Sequence, residues 1–263
     1  MRSIILSKDR PAQLDLLLRS IREFASWIVP TILVRMSDEA RDGYSDVFGR
    51  HDCYVVEEES FQRDIVRLVQ GNKYVQFFVD DDVFKERLAE GGDEQFSLFE
   101  KRSDIATVSL RINRDINYNY PNQKTINAPK FKTNGMWKWC GCEHDFGYPF
   151  CLDGSIYRAA DILPYMETLD YSGPNQFEGV MHGQVRDMFR CCPYMICYQR
   201  SPIVNIPWNR VQDVVHNHSE GMSPEDMNKN FMDGWQISLD HIAGLKNNAC
   251  HQPVELLWEK KND

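Results

Sequence analysis

Tyr74-Val75-Gln76-Phe77-Phe78-Val79-Asp80-Asp81-Asp82 is the stretch that decides the fold. A short run dominated by β-branched and aromatic residues reads as a strand buried on both faces. Three carboxylates follow it without a spacer. The same pattern, an apolar run closed by polar residues, recurs upstream in Ser3-Ile4-Ile5-Leu6-Ser7 and in Thr31-Ile32-Leu33-Val34. Tyr54-Val55-Val56 is a shorter third strand, and Ile105-Ala106-Thr107-Val108-Ser109-Leu110 is a fifth. Between them lie helical stripes. Leu14, Leu17, Leu18 and Ile21 recur at i, i+3, i+4 and i+7, and Phe61, Ile65, Leu68 and Val69 form a second stripe. Asp9 is placed to cap the first helix, with Pro11 in its first turn.

Strands alternating with helices predict an α/β fold with a mostly parallel sheet covered on both faces. In such sheets, ligands bind outside the carboxyl ends of the strands. The polar residues just past the strands are therefore the site candidates: Ser7, Lys8, Arg10, Arg35, Ser37, Asp38, Asp80, Asp81 and Asp82. Adjacent carboxylates repel, and water or a divalent cation must offset the repulsion. A hard cation such as Mg²⁺ takes one or two carboxylates and completes its shell with water and phosphate oxygens. Asp80 and Asp82 can approach one ligand from a sharp turn. The competing reading is a solvated acidic turn.

The rest of the composition narrows the function classes. The chain has 263 residues, 42% hydrophobic and 26% charged, as ordinary globular proteins have. It has no apolar run of membrane-spanning length. The run near Met1 is too short for a signal-peptide core, so a cytoplasmic location is the default expectation. The eight cysteines are then expected reduced. Cys140-x-Cys142 with His144 and Cys151 fits no standard zinc spacing. The net charge of -9 argues against whole-surface affinity for nucleic acid or anionic lipid. The charge is uneven, however. Between Lys101 and Cys140 eight basic residues face two acidic ones, leaving a +6 segment in a chain that is otherwise -15.

From Arg111 to Pro149 the alternation breaks into an Asn-, Lys- and aromatic-rich segment carrying Tyr118, Tyr120, Phe131, Trp137 and Trp139. A segment this long is either functional or conceals a small hairpin. Its aromatics and lysines could grip a sugar, a diphosphate or a nucleic-acid acceptor, or its aromatics could be tucked beneath a solvated loop. Downstream, Ile156 to Met166 reads as helix, Tyr194-Met195-Ile196-Cys197-Tyr198 as a late strand, and Asn230 to Leu245 as a closing helix.

In order and spacing, residues 3–190 resemble the GT-A class of nucleotide-sugar glycosyltransferases, family 2-like. The resemblance is carried by Ser7-Lys8-Asp9-Arg10-Pro11 after the first strand, the leucine-striped helix and Phe78-Val79-Asp80-Asp81-Asp82. Gly147-Tyr148-Pro149-Phe150-Cys151-Leu152-Asp153-Gly154-Ser155-Ile156-Tyr157-Arg158 resembles the acceptor-side strand and helix of that class, and Asn175-Gln176-Phe177-Glu178-Gly179 its acidic motif. The resemblance implies a single GT-A (Rossmann-like) domain over 1–263: a nucleotide-sugar-binding half at 1–110, an acceptor-side insertion at 111–205 and an extension with a C-terminal helix at 206–263.

It also implies a hexosyltransferase-type enzyme that uses Mn²⁺ or Mg²⁺ and a nucleotide-diphosphate sugar, UDP-sugar being the class expectation. The acceptor is a hydroxyl, on a glycan or on modified nucleic acid. By the resemblance, Asp82 binds the metal, Asp80 binds metal or ribose, and Ser7, Lys8, Arg10, Arg35, Asp38, Arg63 and Asp81 line the nucleotide side. Glu178 is the general base of an inverting transfer. Many inverting members carry Glu-Asp where this chain has Glu178-Gly179, so Asp153 is the reserve base. His216 is a candidate to complete the metal shell, a surface-loop histidine being its other reading. Two alternatives stand beside the transferase. One is a binding module that holds nucleotide or glycan without turnover. The other is a nucleotidyltransferase, which would want a glycine-rich phosphate loop where Ser7-Lys8-Asp9-Arg10-Pro11 has no glycine.

Overall fold

The computed structural model describes residues 1–90, 94–209 and 222–261. Its first half is β1 (Arg2–Lys8), α1 (Pro11–Phe24), β2 (Pro30–Arg35), α2 (Asp38–Arg50), β3 (Tyr54–Glu57), α3 (Phe61–Val69) and β4 (Tyr74–Val79). Then come β5 (Asp82–Phe84), α4 (Glu94–Lys101), β6 (Ile105–Ser109), β7 (Tyr118–Asn119), β8 (Lys124–Thr125) and β9 (Met136–Lys138). A 3₁₀ turn at His144–Gly147 precedes β10 (Ser155–Arg158), α5 (Ala159–Thr168), α6 (Pro174–Gly183) and α7 (Val185–Met188). The chain continues with β11 (Tyr194–Cys197), β12 (Ile203–Asn205), α8 (Pro224–Met232), β13 (Trp235–Ile237) and β14 (Trp258–Lys260).

The central sheet has eight strands in the order β3-β2-β1-β4-β10-β6-β11-β9. Only β10 and β9 run against the others, so the α/β, mostly parallel expectation holds. Successive strand residues point to opposite faces, and each face is covered. Ile5 and Phe78 pack with the leucines of α1 and with Tyr44 and Val47 of α2. Ile4, Leu6, Val75 and Phe77 pack with Phe61 and Ile65 of α3, Ile162 of α5 and Phe177 of α6. The near-continuous apolar strands follow from this double coverage. The edge strand β3 differs: Tyr54 is 64% exposed and Val55 41%.

Long-range pairing overrode local pattern in three places. Ile156–Met166 is not one helix: Ser155–Arg158 is drawn into the sheet as β10, antiparallel between β4 and β6, and α5 begins only at Ala159. The stripe Met232, Trp235, Leu239, Ile242 is not a helix either. Gly234, at φ +85, ends the segment, and β13 pairs with β14. The C-terminal helix lies earlier, at Pro224–Met232, where Ser223 accepts a hydrogen bond from the Asp226 N–H at 3.1 Å. Asp9 does not cap α1. Its own φ of +55 turns its carboxylate toward the neighbouring strand end, where it accepts from the Ser37 N–H at 2.6 Å.

The segment after Arg111 conceals the small β7–β8 hairpin and contributes β9 to the sheet. Trp137 and Trp139 are tucked inside, their indole N–H groups donating to the carbonyls of Phe146 and Cys192. Ion pairs tie α1 to α2, and α2 to the residue just past β14. Asp15, fully buried, is held by Arg19 at 2.8 Å, His51 at 2.9 Å and Arg50 at 3.2 Å, and Lys261 reaches Asp46 at 2.7 Å.

Candidate functional site

The parallel strands β1 and β4 end side by side, and the three aspartates leave β4 in three directions. Asp80 turns back toward β1. It accepts from the Ser7 hydroxyl at 2.9 Å, the Lys8 N–H at 3.0 Å and the Arg10 guanidinium at 2.9 Å. Arg10 also reaches Asp81 at 3.0 Å and donates to the Asn209 carbonyl at 2.8 Å. Tyr44 from α2 closes this corner, its hydroxyl 2.7 Å from Ser7 Oγ. Burial pushes Asp80 up to about 6 against the pull of Arg10, which still leaves it ionised at neutral pH.

Asp82 points the other way and opens β5. Its register partner on β12 is Asn205, whose amide donates to Asp81 at 2.8 Å and to Asp82 at 3.3 Å. The Val79 N–H adds a further bond at 3.1 Å. Asp82 is fully buried and has no ion pair among the described residues. Burial, then the nearby charges of Asp153 and Asp81, hold its carboxyl well above the usual range. Asp153 is placed by Gly154, which sits at φ +59 and where a Cβ would run into Ile203. Burial would raise Asp153 as well, but His251 at 3.2 Å and Arg111 at 3.5 Å hold it below the ordinary value. Arg111 is buried and also pairs with Asp145 at 3.3 Å.

Glu178 approaches the same loop from α6, a helix that starts at Pro174 after extended Gly173 and buries Phe177 and Met181. Its carboxylate accepts from the Leu152 N–H at 2.8 Å. Burial and the Asp153 charge push it up to about 7. Carboxylates thus run in a chain from Asp80 through Asp82 and Asp153 to Glu178. Two arginines and one histidine offset them.

The remaining candidates divide. Ser7, Lys8 and Arg10 belong to the cluster. Arg35 and Lys8 lie beside Glu58, forming a cationic rim past β1 and β2. Asp38 is at the solvent-facing start of α2, its side chain 99% exposed. Arg63 is not brought to the aspartates. It pairs with Glu59 and Asp64, both at 2.9 Å, on the outer face of α3, beside a groove of about 520 Å³ lined with Gln62, Arg67 and Glu167. His216 lies outside the described residues. Arg111 was missed although it stands just past a strand, where the same rule could have found it. His251 and Asn205 carry no local signal.

Among the described residues no set of three or more His, Cys, Asp or Glu is arranged to hold a metal on protein ligands alone. Asp80 and Asp82 serve different partners and do not form such a set. Asp82 nevertheless suits a hard cation shared with a diphosphate. It is an oxygen donor without a cationic partner of its own among the described residues, and divalent ions of this kind need only one or two carboxylates from protein.

Arg10 holds the buried Asp80 and the half-buried Asp81, so Arg10→Gln should cost about 3–5 kcal/mol of stability at pH 7. The loss should shrink toward pH 5. Asp80 binds its proton more readily in the folded state than in the unfolded chain, so protonation relieves the folded state. Urea denaturation at the two pH values reads this, and an equal loss at both would contradict the pairing.

No protein-family model matches the chain. It is 24% identical over 270 residues to the bifunctional glycosyltransferase pgtA of Dictyostelium discoideum, a match covering 87% of this chain and 35% of that protein. The chain therefore spans about a third of its curated relative. Solved structures that resemble it include a cytidylyltransferase from Leptospira borgpetersenii, at TM-score 0.46, 9% identity and coverage of 94% of this chain and 97% of that one. Mouse xyloside xylosyltransferase 1 is similar at TM-score 0.37 and 10% identity, covering 72% and 75%. An active-site mutant of LgtC is similar at TM-score 0.35 and 8% identity, covering 88% and 95%. The curated relative is thus a glycosyltransferase, and the structural neighbours include glycosyltransferases and nucleotidyltransferases.

Proposed function

We propose that this chain is a metal-dependent glycosyltransferase that moves a hexosyl group from a nucleotide-diphosphate sugar, a UDP-sugar by expectation, to an acceptor hydroxyl with inversion. The observation that carries the reading is the division of the carboxylates. One buried aspartate without a cationic partner among the described residues sits at the strand end, and one carboxylate of raised affinity for protons sits across the Asp153 loop. Residues 1–110 form the donor half, 111–205 the acceptor side and 206–263 an extension. The acceptor is a glycan. The net charge of -9 disfavours nucleic acid, while the burial of Trp137 and Trp139 removes two rings from any stacking surface, for sugar and nucleic acid alike. The similarity to a glycosyltransferase supports the same reading.

In this reading Asp82 holds Mn²⁺ or Mg²⁺ together with the donor diphosphate. Bound there, the ion supplies Lewis-acid neutralisation of the leaving phosphate. Arg10, Ser7 and the Lys8 N–H fix Asp80 for the ribose, and Lys8 and Arg35 offer positive charge to the nucleotide. Glu178 takes the proton of the acceptor hydroxyl as its oxygen attacks the anomeric carbon. Asp153 suits that task less, because His251 and Arg111 occupy its carboxylate. A value near 7 lets Glu178 be ionised at working pH and still hold a proton well.

A screen of nucleotide sugars with Mn²⁺, read by released nucleoside diphosphate, tests the reaction class. Release from none of them, with or without an acceptor glycan, would remove the proposal. Asp82→Asn should abolish release while the melting temperature does not fall, because a buried, repelled carboxylate has been neutralised. Glu178→Gln should lower kcat by about a thousandfold or more, with little change in nucleotide affinity. Since the base works when ionised, wild-type kcat should rise with pH through about 7. A flat profile from about pH 5.5 to 8 would contradict the assignment.

A further inference from the structure

Asn205 is a buried amide placed between two carboxylates by backbone pairing on both of its sides. β12 pairs with β5 in a register that sets Asn205 opposite Asp82. On its other side Asn205 forms a parallel bridge with His251. Its N–H donates to the Cys250 carbonyl at 3.1 Å, and its carbonyl accepts from the Gln252 N–H at 2.9 Å. The next residue, Ile206, donates its N–H to the Asp81 carbonyl at 2.9 Å. The main chain therefore fixes where the short Asn205 side chain ends.

The amide Nδ2 carries two hydrogens, and it meets Asp81 Oδ1 at 2.8 Å and Asp82 Oδ1 at 3.3 Å. The other oxygen of Asp81 accepts from Arg10 at 3.0 Å, and the same Arg10 nitrogen reaches Asp80 at 2.9 Å. A continuous run of hydrogen bonds thus links Asp80, Arg10, Asp81, Asn205 and Asp82. At its end Asp82 receives one donor on each oxygen, Asn205 on Oδ1 and the Val79 N–H on Oδ2 at 3.1 Å. A carboxylate offers about four lone-pair sites, so both oxygens keep acceptor capacity for a ligand. The amide orients Asp82 without adding charge. A cationic side chain there would compete with a metal ion for the carboxylate, and a further carboxylate would add to the repulsion.

We propose that Asn205 is a positioning residue for the cation site, its amide orienting the Asp82 carboxylate, with Asp81 as the anchor of that amide and not a metal ligand. This rests on Asp82 being the carboxylate that holds the ion. Groups that fix a ligating side chain from outside are typically worth about tenfold to a hundredfold in metal affinity.

Asn205→Leu keeps a side chain of similar size and removes both donors, and Asn205→Ala removes the amide outright. Mn²⁺ binding is read by electron paramagnetic resonance in the presence of saturating UDP, and UDP binding without metal is read by calorimetry. Each variant should bind Mn²⁺ about tenfold to a hundredfold more weakly, with metal-free UDP affinity unchanged. Wild-type Mn²⁺ affinity in a folded variant overturns the proposal, and so does an equal loss of Mn²⁺ and metal-free UDP affinity, which marks Asn205 as merely structural. Should neither variant fold, nuclear magnetic resonance of the Asn205 side-chain amide in the wild-type protein decides. Its signals should shift when Mg²⁺ and UDP are added together and not with UDP alone, and unmoved signals overturn the proposal. Failure of the wild-type protein to bind Mn²⁺ with UDP removes the Asp82 reading itself, and the positioning role with it.

Discussion

Asp80, Asp81, Asp82, Asp145, Asp153 and Glu178, each buried or half-buried, gather at the strand ends, and the surrounding architecture is arranged around their repulsion. Arg10 spans Asp80 and Asp81 from the start of α1, Arg111 spans Asp145 and Asp153, and His251 pairs with Asp153 from a distant part of the chain. Each anchor links elements distant in sequence. Breaking one would leave a buried charge unpaired, among the costlier losses available to a folded chain. Asp82 is left outside this scheme, with an asparagine amide and a backbone N–H for company. A carboxyl so enclosed holds its proton more readily than an exposed aspartate does.

The environments of the two central acids differ in a chemically useful way. Asp82 is enclosed and lacks a counter-charge among the described residues, so burial and its acidic neighbours disfavour its charged form. Glu178 is half-buried, accepts from the Leu152 N–H and holds its proton to about neutrality. Between them Asp153 stays ionised through His251 and Arg111, and its negative charge raises both neighbours. One paired aspartate thus raises the proton affinity of two unpaired acids in different surroundings, a difference that burial and charge create.

Local pattern made part of this legible. The buried strands around Ile4, Ile32 and Phe77, the leucine stripe of α1 and the acidic strand end could all be read directly, because burial on both sheet faces leaves uninterrupted apolar runs. Helix α2 was not visible: its inward positions are Ala40, Gly43, Tyr44 and Val47, too small or too polar in aggregate to stand out. Strand β10 was hidden because Ile156 and Tyr157 fit a helix equally well until the gap between β4 and β6 claims them. Asn205 and His251 became visible only in three dimensions, since their partners Asp81 and Asp153 lie about a hundred positions away in the chain. Asp9 shows the reverse error, a residue type suited to a cap whose left-handed backbone directs it to another strand.

The central claim is that Asp82 binds its cation jointly with a diphosphate. Calorimetric titration of UDP into the protein, with and without Mn²⁺, tests it most directly. The account predicts that Mn²⁺ tightens UDP binding about tenfold or more in the wild-type protein and has no effect in Asp82→Asn. Equal UDP affinity with and without the metal in the wild-type chain would contradict it.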